Sequence, residues 1–193
     1  MTSGGFARQH DRQLLDALEA LPAEAFSGET WRVAARCRDA LRGSTAGGRW
    51  SPPGEFEALY TSLARTGALA EIGYRLSLEP VWPSRAEHEI HRITARTDRS
   101  LRFADVGSLA SLGVDVRRYA NFDYVATQAV AAAAFFLDFD GLIVPSARST
   151  AHNLVIFTEK LEVGDRLRVA DSAAVDWRAW QAQHSERLPR QDF

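Results

Sequence analysis

A loop rich in glycine and proline, a tyrosine and a glutamate follow one another at regular spacing in the first half of the chain. The loop, 47–54, reads Gly-Gly-Arg-Trp-Ser-Pro-Pro-Gly and carries Arg49, and Tyr60 and Glu71 follow at equal intervals of eleven residues. Glycine permits backbone turns that other residues avoid and proline fixes φ, so we expect a rigid loop. Arginine is the planar, permanently charged group that best binds phosphate or carboxylate. A cation, an aromatic face and a carboxylate on separate elements could hold a charged nucleotide and act on its sugar.

Three further polar residues are candidates for ligand contacts. Ser146 directly follows an apolar strand pattern and Asn153 opens the next one, and binding groups commonly lie where strands end in loops. Arg32 follows Trp31 on the first predicted strand, where it is either a second phosphate contact or a plain cation at a strand edge. Ser146 lacks the G-x-S-x-G setting of a hydrolase nucleophile, so we expect no nucleophilic role for it.

Each of these residues also has a purely structural interpretation. Arg49 could be a surface arginine in a tight turn, and Tyr60 could be a core tyrosine with its hydroxyl at the surface. Glu71 could face water on an amphipathic helix, although its apolar neighbours make an unpaired carboxylate there costly to bury. Ser146 and Asn153 could serve only in turns. The order of these residues along the chain is more informative than any one of them.

The elements that must position these residues are both helices and strands. An apolar stripe predicts a helix over 8–21, and Thr66 could cap a second helix over 66–76. Richness in alanine predicts a third helix over 124–137, terminated by Gly141. Apolar runs predict strands over 30–35, 56–62, 142–145, 154–158 and 161–169, with two weakly alternating stretches between 89 and 103. Ser27-Gly28 indicates a turn, and Trp177 and Trp180 are expected to dock part of the polar tail. This mixture predicts a single compact α+β domain over residues 1–193.

Composition narrows the classes of function. The 193-residue chain has a net charge of −2, so bulk charge gives no reason to expect nucleic-acid or membrane binding. Cys37 is the only cysteine, which excludes an internal disulfide and fits a reducing cytoplasm. His88 and His91 lack a third ligand nearby, so we expect no metal site. No signal peptide is expected, and the longest apolar run, 129–137, is far shorter than a membrane span.

Four ordered motifs resemble the RES domain, the toxin half of bacterial RES–Xre toxin–antitoxin modules. Trp31-Arg32-Val33 looks like the aromatic-Arg-Val opening of that family, and loop 47–54 resembles its Gly-Gly-Arg-Trp-Asn-x-x-Gly loop, with Ser51 in place of the usual asparagine. Residues 59–62 and 68–71 look like the tyrosine strand and the glutamate helix. Residues 140–148 and 152–157 resemble the closing serine–asparagine segment.

The resemblance covers about residues 30–158. The N-terminal helix 8–21 and the tail 171–193 lie outside it, where they could contact other copies or an antitoxin, or simply cover the core. It implies a fold similar to the ADP-ribosyltransferases of the diphtheria-toxin type, with central β-sheets flanked by helices.

The resemblance also implies a substrate and roles for the candidate residues. The substrate is NAD⁺, cleaved at the nicotinamide–ribose bond, with no cofactor. The implied catalytic residues are Arg49, Tyr60 and Glu71: Arg49 clamps the pyrophosphate, Tyr60 stacks on the nicotinamide or ribose, and Glu71 stabilises the oxocarbenium-like ribose. The implied substrate-binding residues are Arg32 at the pyrophosphate, and Ser146 and Asn153 at the nicotinamide amide or the ribose. No metal is required, because the leaving group is already cationic.

A partner and a choice of activities follow from the same resemblance. The implied partner is a cognate Xre-type helix-turn-helix antitoxin that covers the active site, with DNA contact only through the antitoxin and a possible homodimer within the complex. Three interpretations stay open: growth arrest through NAD⁺ hydrolysis or phosphorolysis, transfer of ADP-ribose to a protein, and an inactive relative that acts as a binding module. The acceptor is set by a few side chains and by access to the pocket, which the sequence does not reveal.

Overall fold

A computed structural model describes residues 10–83, 85–161 and 163–184. In these ranges the chain forms five α-helices: α1 (Arg12–Glu19), α2 (Arg65–Ser77), α3 (Val125–Phe136), α4 (Val163–Arg166) and α5 (Trp177–His184). It also forms six strands there: β1 (Ala23–Ala35), β2 (Ala58–Ser62), β3 (His88–Arg102), β4 (Gly141–Pro145), β5 (His152–Phe157) and β6 (Leu167–Ala174). Short 3₁₀ turns cover Gly107–Leu112, Val116–Arg118 and Thr158–Lys160.

The strands form one mixed sheet that curls back on itself. Its order is β1-β2-β5-β4-β3-β6, and its strand pairs are antiparallel except for the parallel pair β3–β4. β1 also pairs with β3 along almost its whole length, from Ala23 opposite Leu101 to Ala35 opposite His88. β1 is the first strand in this order and β3 is the fifth. Because β1 pairs with both β2 and β3, the sheet closes into a ring of five strands. This arrangement confirms the predicted single α+β domain with helices around a central sheet.

The two faces of the sheet carry different apolar clusters, because successive strand side chains point to opposite sides. On one face Val144 and Val155 pack with helices α1 and α3. The buried stretch of alanines in α3 allows this helix to approach the sheet closely. On the other face Leu59, Ile143 and Leu154 form a separate cluster. The alternation fixes which residues can share a site.

Helix α2 packs between the sheet and the C-terminal helix. Ala68 and Leu69 of α2 lie in a cluster with Val33 of β1 and with Trp177 of α5. The docking of the tail through its tryptophans is confirmed. None of the helices in the described part of the chain combines the length and the apolar character that a membrane span requires.

Several predictions about single elements are wrong. Ser27-Gly28 lies inside β1 rather than in a turn, because the long pairing with β3 overrides the local preference of these residues. The two stretches between 89 and 103 form the single strand β3. Gly141 begins β4, since α3 already ends at Phe136. The segment 161–169 contains α4 before β6 begins. The helix predicted over 8–21 spans 12–19, and its first two positions lie outside the described residues.

Candidate active site

The Glu71 carboxylate is held by two side chains from the β4–β5 hairpin. Ser146 Oγ donates to Glu71 Oε1 at 2.7 Å, and Asn153 Nδ2 donates to the same oxygen at 3.0 Å. Hydrogen bonds to an ionised group are about twice as strong as neutral ones, so two of them fix the orientation of the carboxylate. In the part of the chain that the structure describes, no group donates to Oε2. The second carboxylate oxygen is thereby available to a ligand.

Packing of helix α2 against the hairpin brings these groups together. Gly67 lies one turn before Glu71, and a Cβ at position 67 would overlap Ser62 Oγ and approach Ala151 Cβ to 3.0 Å. The missing side chain therefore allows α2 to lie directly on β2 and on the hairpin turn. Val144 pairs with Asn153 across the hairpin, which places Ser146 and Asn153 on the same side, under Glu71.

Ser146 has a fully committed hydroxyl. Its oxygen accepts hydrogen bonds from the backbone N–H groups of Arg148 at 3.0 Å and Ser149 at 3.2 Å, while its proton points to Glu71. A hydroxyl has one donor and two acceptor positions, and all three are used here. Ser146 therefore positions the carboxylate and the following loop, which agrees with the expectation that it is no nucleophile.

The loop that carries Arg49 is tied to β2 and to α3. Gly47 has a φ of 88°, in the left-handed region that favours glycine. The Tyr60 hydroxyl accepts from Trp50 N at 2.9 Å and pairs with Ser51 Oγ at 2.9 Å. From α3, Gln128 Nε2 donates to the Gly48 carbonyl at 2.8 Å. These bonds make the loop as rigid as its composition predicts.

The Arg49 guanidinium lies between two aromatic rings. Its Cζ is 4.8 Å from the Tyr119 ring centroid and 4.7 Å from that of Tyr124, and its Nη2 donates to the Asn121 carbonyl at 3.1 Å. Its Nη1 is buried and has no hydrogen-bond partner among the residues that the structure describes. Burying such a donor without a partner is costly, so this nitrogen is suited to receive an anionic oxygen from a ligand.

Tyr60 lies beside this loop with its hydroxyl already bonded. Burial is the main reason that the pKa of Tyr60 rises to about 12. It shares a sheet face with Asn153, because Tyr60 and Ser62 alternate with Thr61 on β2 and Ser62 pairs with Asn153. The predicted stacking of its ring on a ligand stays a prediction, whereas its role as an anchor of the loop is visible in the structure.

Arg32 is not part of this group. Its neighbour Trp31 pairs with Ser62, so Trp31 shares the face of Tyr60 and Asn153, and Arg32 points to the opposite face. Burial chiefly lowers the pKa of Arg32, and the charges that act on it are those of Arg38, Asp39 and Glu57 rather than Glu71. The prediction that Arg32 clamps the same ligand as Arg49 is therefore not supported by its position. The register of β1 sets the face that Arg32 occupies, and a short motif does not reveal that register.

Three residues near the site escaped the sequence analysis. Tyr119 donates from its hydroxyl to the Pro145 carbonyl at 2.7 Å. Burial raises the pKa of Tyr119 to about 12, while the charges of Arg49 and Glu71 act on it in opposite directions, which places Tyr119 near both. The other two residues are Tyr124, whose ring lies against the Arg49 guanidinium, and Arg148, whose backbone N–H donates to Ser146 Oγ. Arg148 follows Ser146 so closely that its position was a usable signal. Tyr119 follows a short 3₁₀ turn and Tyr124 precedes α3 directly, and nothing local marks either tyrosine as a site residue.

The histidines that the sequence places three residues apart have separate structural partners. His88 Nδ1 accepts from Trp177 Nε1 at 3.1 Å, and His91 Nδ1 lies 2.8 Å from Ser172 Oγ. Among the described residues, no three His, Cys, Asp or Glu side chains are grouped so that they could hold a metal ion. The expectation of a metal-free site stays a prediction.

The site thus combines a carboxylate held by two hydrogen bonds with an arginine flanked by two aromatic rings, in a small α+β domain. The model of the RES domain family matches residues 29–181, and the chain belongs to this family. The matched segment is longer than the motif-based one of about 30–158, because it includes β6 and part of α5.

Relatives and a solved structure resemble the chain over most of its length. It is 24% identical over 160 residues to the NAD(+) phosphorylase MbcT of Mycobacterium tuberculosis, covering 80% of this chain and 86% of that protein. It is 30% identical over 141 residues to the probable NAD(+) phosphorylase Rv3189 of the same species, covering 70% of this chain and 66% of that protein. The crystal structure of the M. tuberculosis MbcT–MbcA toxin–antitoxin complex contains a chain with the same fold, with a TM-score of 0.79, 23% identity, and coverage of 91% of this chain and 98% of that one.

Proposed function

We propose that this protein is an NAD⁺-cleaving toxin that breaks the nicotinamide–ribose bond and passes the ADP-ribosyl group to phosphate or water. The observation that carries the proposal is the Glu71 carboxylate, fixed through Oε1 by Ser146 and Asn153, near the arginine held by Tyr119 and Tyr124. Family membership and the names of the two phosphorylase relatives support the same reaction.

The chemistry requires little from the protein beyond charge and position. When nicotinamide leaves, the bonding electron pair stays on the ring nitrogen and neutralises its positive charge. The ribose becomes an oxocarbenium-like cation, which a fixed carboxylate stabilises. Glu71 supplies that carboxylate, since its orientation is set before any ligand arrives. An oxygen of phosphate or water then forms the new bond to the anomeric carbon, and a water acceptor also loses a proton.

We propose phosphate as the preferred acceptor, because both relatives are named phosphorylases. Purified protein is incubated with NAD⁺ with and without phosphate, and the products are identified by mass spectrometry. We expect nicotinamide and an ADP-ribose phosphate ester when phosphate is present. Free ADP-ribose in both samples indicates hydrolysis. ADP-ribose that appears only on a protein indicates a transferase and contradicts this proposal.

Glu71→Gln is the sharpest variant for this assay, because it keeps the shape and removes the charge. Loss of a charge that acts mainly in the transition state lowers kcat by about 100-fold or more. Glu19→Gln is the control, because Glu19 is exposed on α1 and the substitution removes the same charge. Equal NAD⁺ consumption by wild type and Glu71→Gln, or no consumption by wild type, would remove the basis of the proposal.

We further propose that a cognate antitoxin of the Xre helix-turn-helix type neutralises this protein and that DNA is contacted only through it. The fold match to a chain from a toxin–antitoxin complex supports a partner of this class. Homodimerisation within such a complex and a cytoplasmic location stay predictions. Co-expression of the neighbouring reading frame should restore growth and yield a co-purifying complex, and growth arrest despite co-expression would contradict the pairing.

A further inference from the structure

Arg148 is connected to the same site through Ser146. Its backbone N–H is bonded to Ser146 Oγ, the hydroxyl that holds Glu71. Its guanidinium Cζ lies 3.6 Å from the Tyr74 ring centroid and 5.6 Å from that of Phe122. Tyr74 follows Glu71 by three positions on α2, so the two side chains are neighbours on one helix face. The Arg148 guanidinium therefore lies over the helix face that carries Glu71, the candidate catalytic carboxylate.

The two arginines donate hydrogen bonds to two adjacent backbone carbonyls. Arg148 Nη2 donates to the Ala120 carbonyl at 2.7 Å, and Arg49 Nη2 donates to the Asn121 carbonyl at 3.1 Å. Each guanidinium is held through one nitrogen and stacked on aromatic rings, which leaves other N–H groups of the fork for a ligand. Two cations from distant parts of the chain are thus brought to a single short segment.

Neither arginine has an acidic partner among the residues that the structure describes. Within residues 10–83, 85–161 and 163–184, no carboxylate forms a salt bridge with Arg49 or Arg148, whereas Arg36, Arg92 and Arg102 each form one with a glutamate. Aromatic faces attract a cation but do not neutralise it. Two neighbouring guanidinium groups without a counter-charge form a site for an anion with several oxygens, and phosphate fits that geometry.

We propose that Arg148 is a phosphate-binding residue that acts together with Arg49. This inference rests on the proposed function and deepens it, because Arg148 supplies a second cation beside Arg49, whereas Arg32 lies on the opposite face of β1 from Trp31. The ligand group is a phosphate, whose source is either the pyrophosphate of the dinucleotide or the free phosphate that acts as acceptor. The carbonyls of Ala120 and Asn121 hold the two guanidinium groups in place for it.

The test measures binding, which needs no turnover. ADP-ribose and inorganic phosphate are titrated separately into wild type and Arg148→Gln by calorimetry. We expect Arg148→Gln to weaken binding of at least one probe tenfold or more. Weaker ADP-ribose binding assigns Arg148 to the pyrophosphate, and weaker phosphate binding alone assigns it to the acceptor. Unchanged affinity for both probes overturns the inference, as does a wild type that binds neither.

Two further variants separate charge from structure. Arg117→Gln removes the same charge from the neighbouring segment, where the Arg117 side chain is exposed and forms a salt bridge with Asp115, and it should bind both probes like wild type. Arg148→Met keeps an apolar stem against Tyr74 without the cation and serves if Arg148→Gln does not fold. A similar loss of affinity in Arg117→Gln, or failure of both Arg148 variants to fold, overturns the inference.

The proposed function and this inference can fail separately. A wild type that binds the probes through Arg148 but leaves NAD⁺ intact keeps the inference and contradicts the function. An Arg148→Gln variant that binds both probes and consumes NAD⁺ like wild type contradicts only the inference.

Discussion

One oxygen atom of Tyr60 connects strand β2 to the loop that carries Arg49. It accepts a hydrogen bond from Trp50 N and pairs with Ser51 Oγ. Because burial raises the pKa of Tyr60 to about 12, the hydroxyl keeps its proton in any ordinary assay and is able both to donate and to accept. Gly48 permits this contact, since a Cβ there would lie 2.7 Å from the Tyr60 hydroxyl oxygen.

Tyr60→Phe should therefore loosen the loop without emptying the core. The ring is kept, but the buried Trp50 N–H and the Ser51 hydroxyl lose their partner, which costs about 1–3 kcal/mol of folding free energy. With Arg49 less firmly placed, we expect kcat/KM for NAD⁺ to fall by about tenfold or more, mainly through KM. Steady-state kinetics and thermal melting of the variant check both effects. Wild-type kinetics with an unchanged melting temperature would show that the hydroxyl does not hold the loop.

The types and the order of the residues were enough to select Glu71, Ser146 and Asn153 as site residues, and the helix and the hairpin that carry them place the three side chains in contact. Arg32 lies on the opposite face of β1 from Trp31, and the sequence motif alone does not reveal which face a strand residue occupies, because a shift of one residue in register exchanges the faces. A role for Arg32 in substrate binding stays a prediction. Arg148 contacts Ala120, 28 residues away, and no local pattern reports such a contact.

The two sides of helix α2 contact different elements of the fold. Glu71 faces the β4–β5 hairpin, whereas Gly73, two positions later and about 200° around the helix, faces α5. A Cβ at position 73 would overlap the six-membered ring of Trp180. The bare helix surface at Gly73 thus receives the tail and braces the helix that carries the carboxylate.

Gly73→Ala tests this brace through a change of sign. Alanine is favoured over glycine in a helix by about 1 kcal/mol, but an overpacked contact costs about 1–3 kcal/mol. In wild type the clash outweighs the helix preference, so we expect Gly73→Ala to lower the free energy of unfolding. In a Trp180→Ala background the clash is absent, and the same substitution should stabilise the protein. Denaturant unfolding of the four proteins gives the coupling energy, and additive effects would contradict the contact.

Helix α3 could be predicted from the sequence, because it is rich in alanine, which has the highest helix propensity, and its run of alanines is buried in the core. β1 and β3 could not be predicted at their full length. Each contains polar residues and a glycine or a break in alternation, and only their mutual pairing over 13 and 15 residues makes them continuous strands. Tertiary pairing of this kind overrides local preference.

Two histidines connect β6 and α5 to strand β3. His88 on β3 accepts a hydrogen bond from Trp177 of α5, and His91, also on β3, pairs with Ser172 of β6. Burial is the main cause that lowers the pKa of both histidines. The fold therefore favours their neutral forms, and a protonated His88 could no longer accept from Trp177.

Stability should consequently fall as the medium becomes mildly acidic. The unfolded chain binds protons at a histidine pKa of about 6.5, whereas the folded chain binds them only at lower pH. The histidines thus favour the folded state above pH ~6.5, and this contribution is lost as the pH falls through the lower pKa values of the folded state. We expect the melting temperature to drop by several degrees between pH 7.5 and pH 5.5, where paired carboxylates such as Asp98, whose pKa the Arg166 hydrogen bond lowers, remain ionised.

The pair of variants His88→Gln and His91→Gln, combined in one protein, assigns this effect. Glutamine keeps a carbonyl oxygen that can accept from Trp177 and a polar group that can reach Ser172, but it does not titrate. The double variant should melt at nearly the same temperature at both pH values, while each single variant retains part of the slope. If the double variant keeps the full pH dependence of wild type, the loss of stability comes from other groups, and the histidines do not act as the acid-sensitive fastening of β6 and α5.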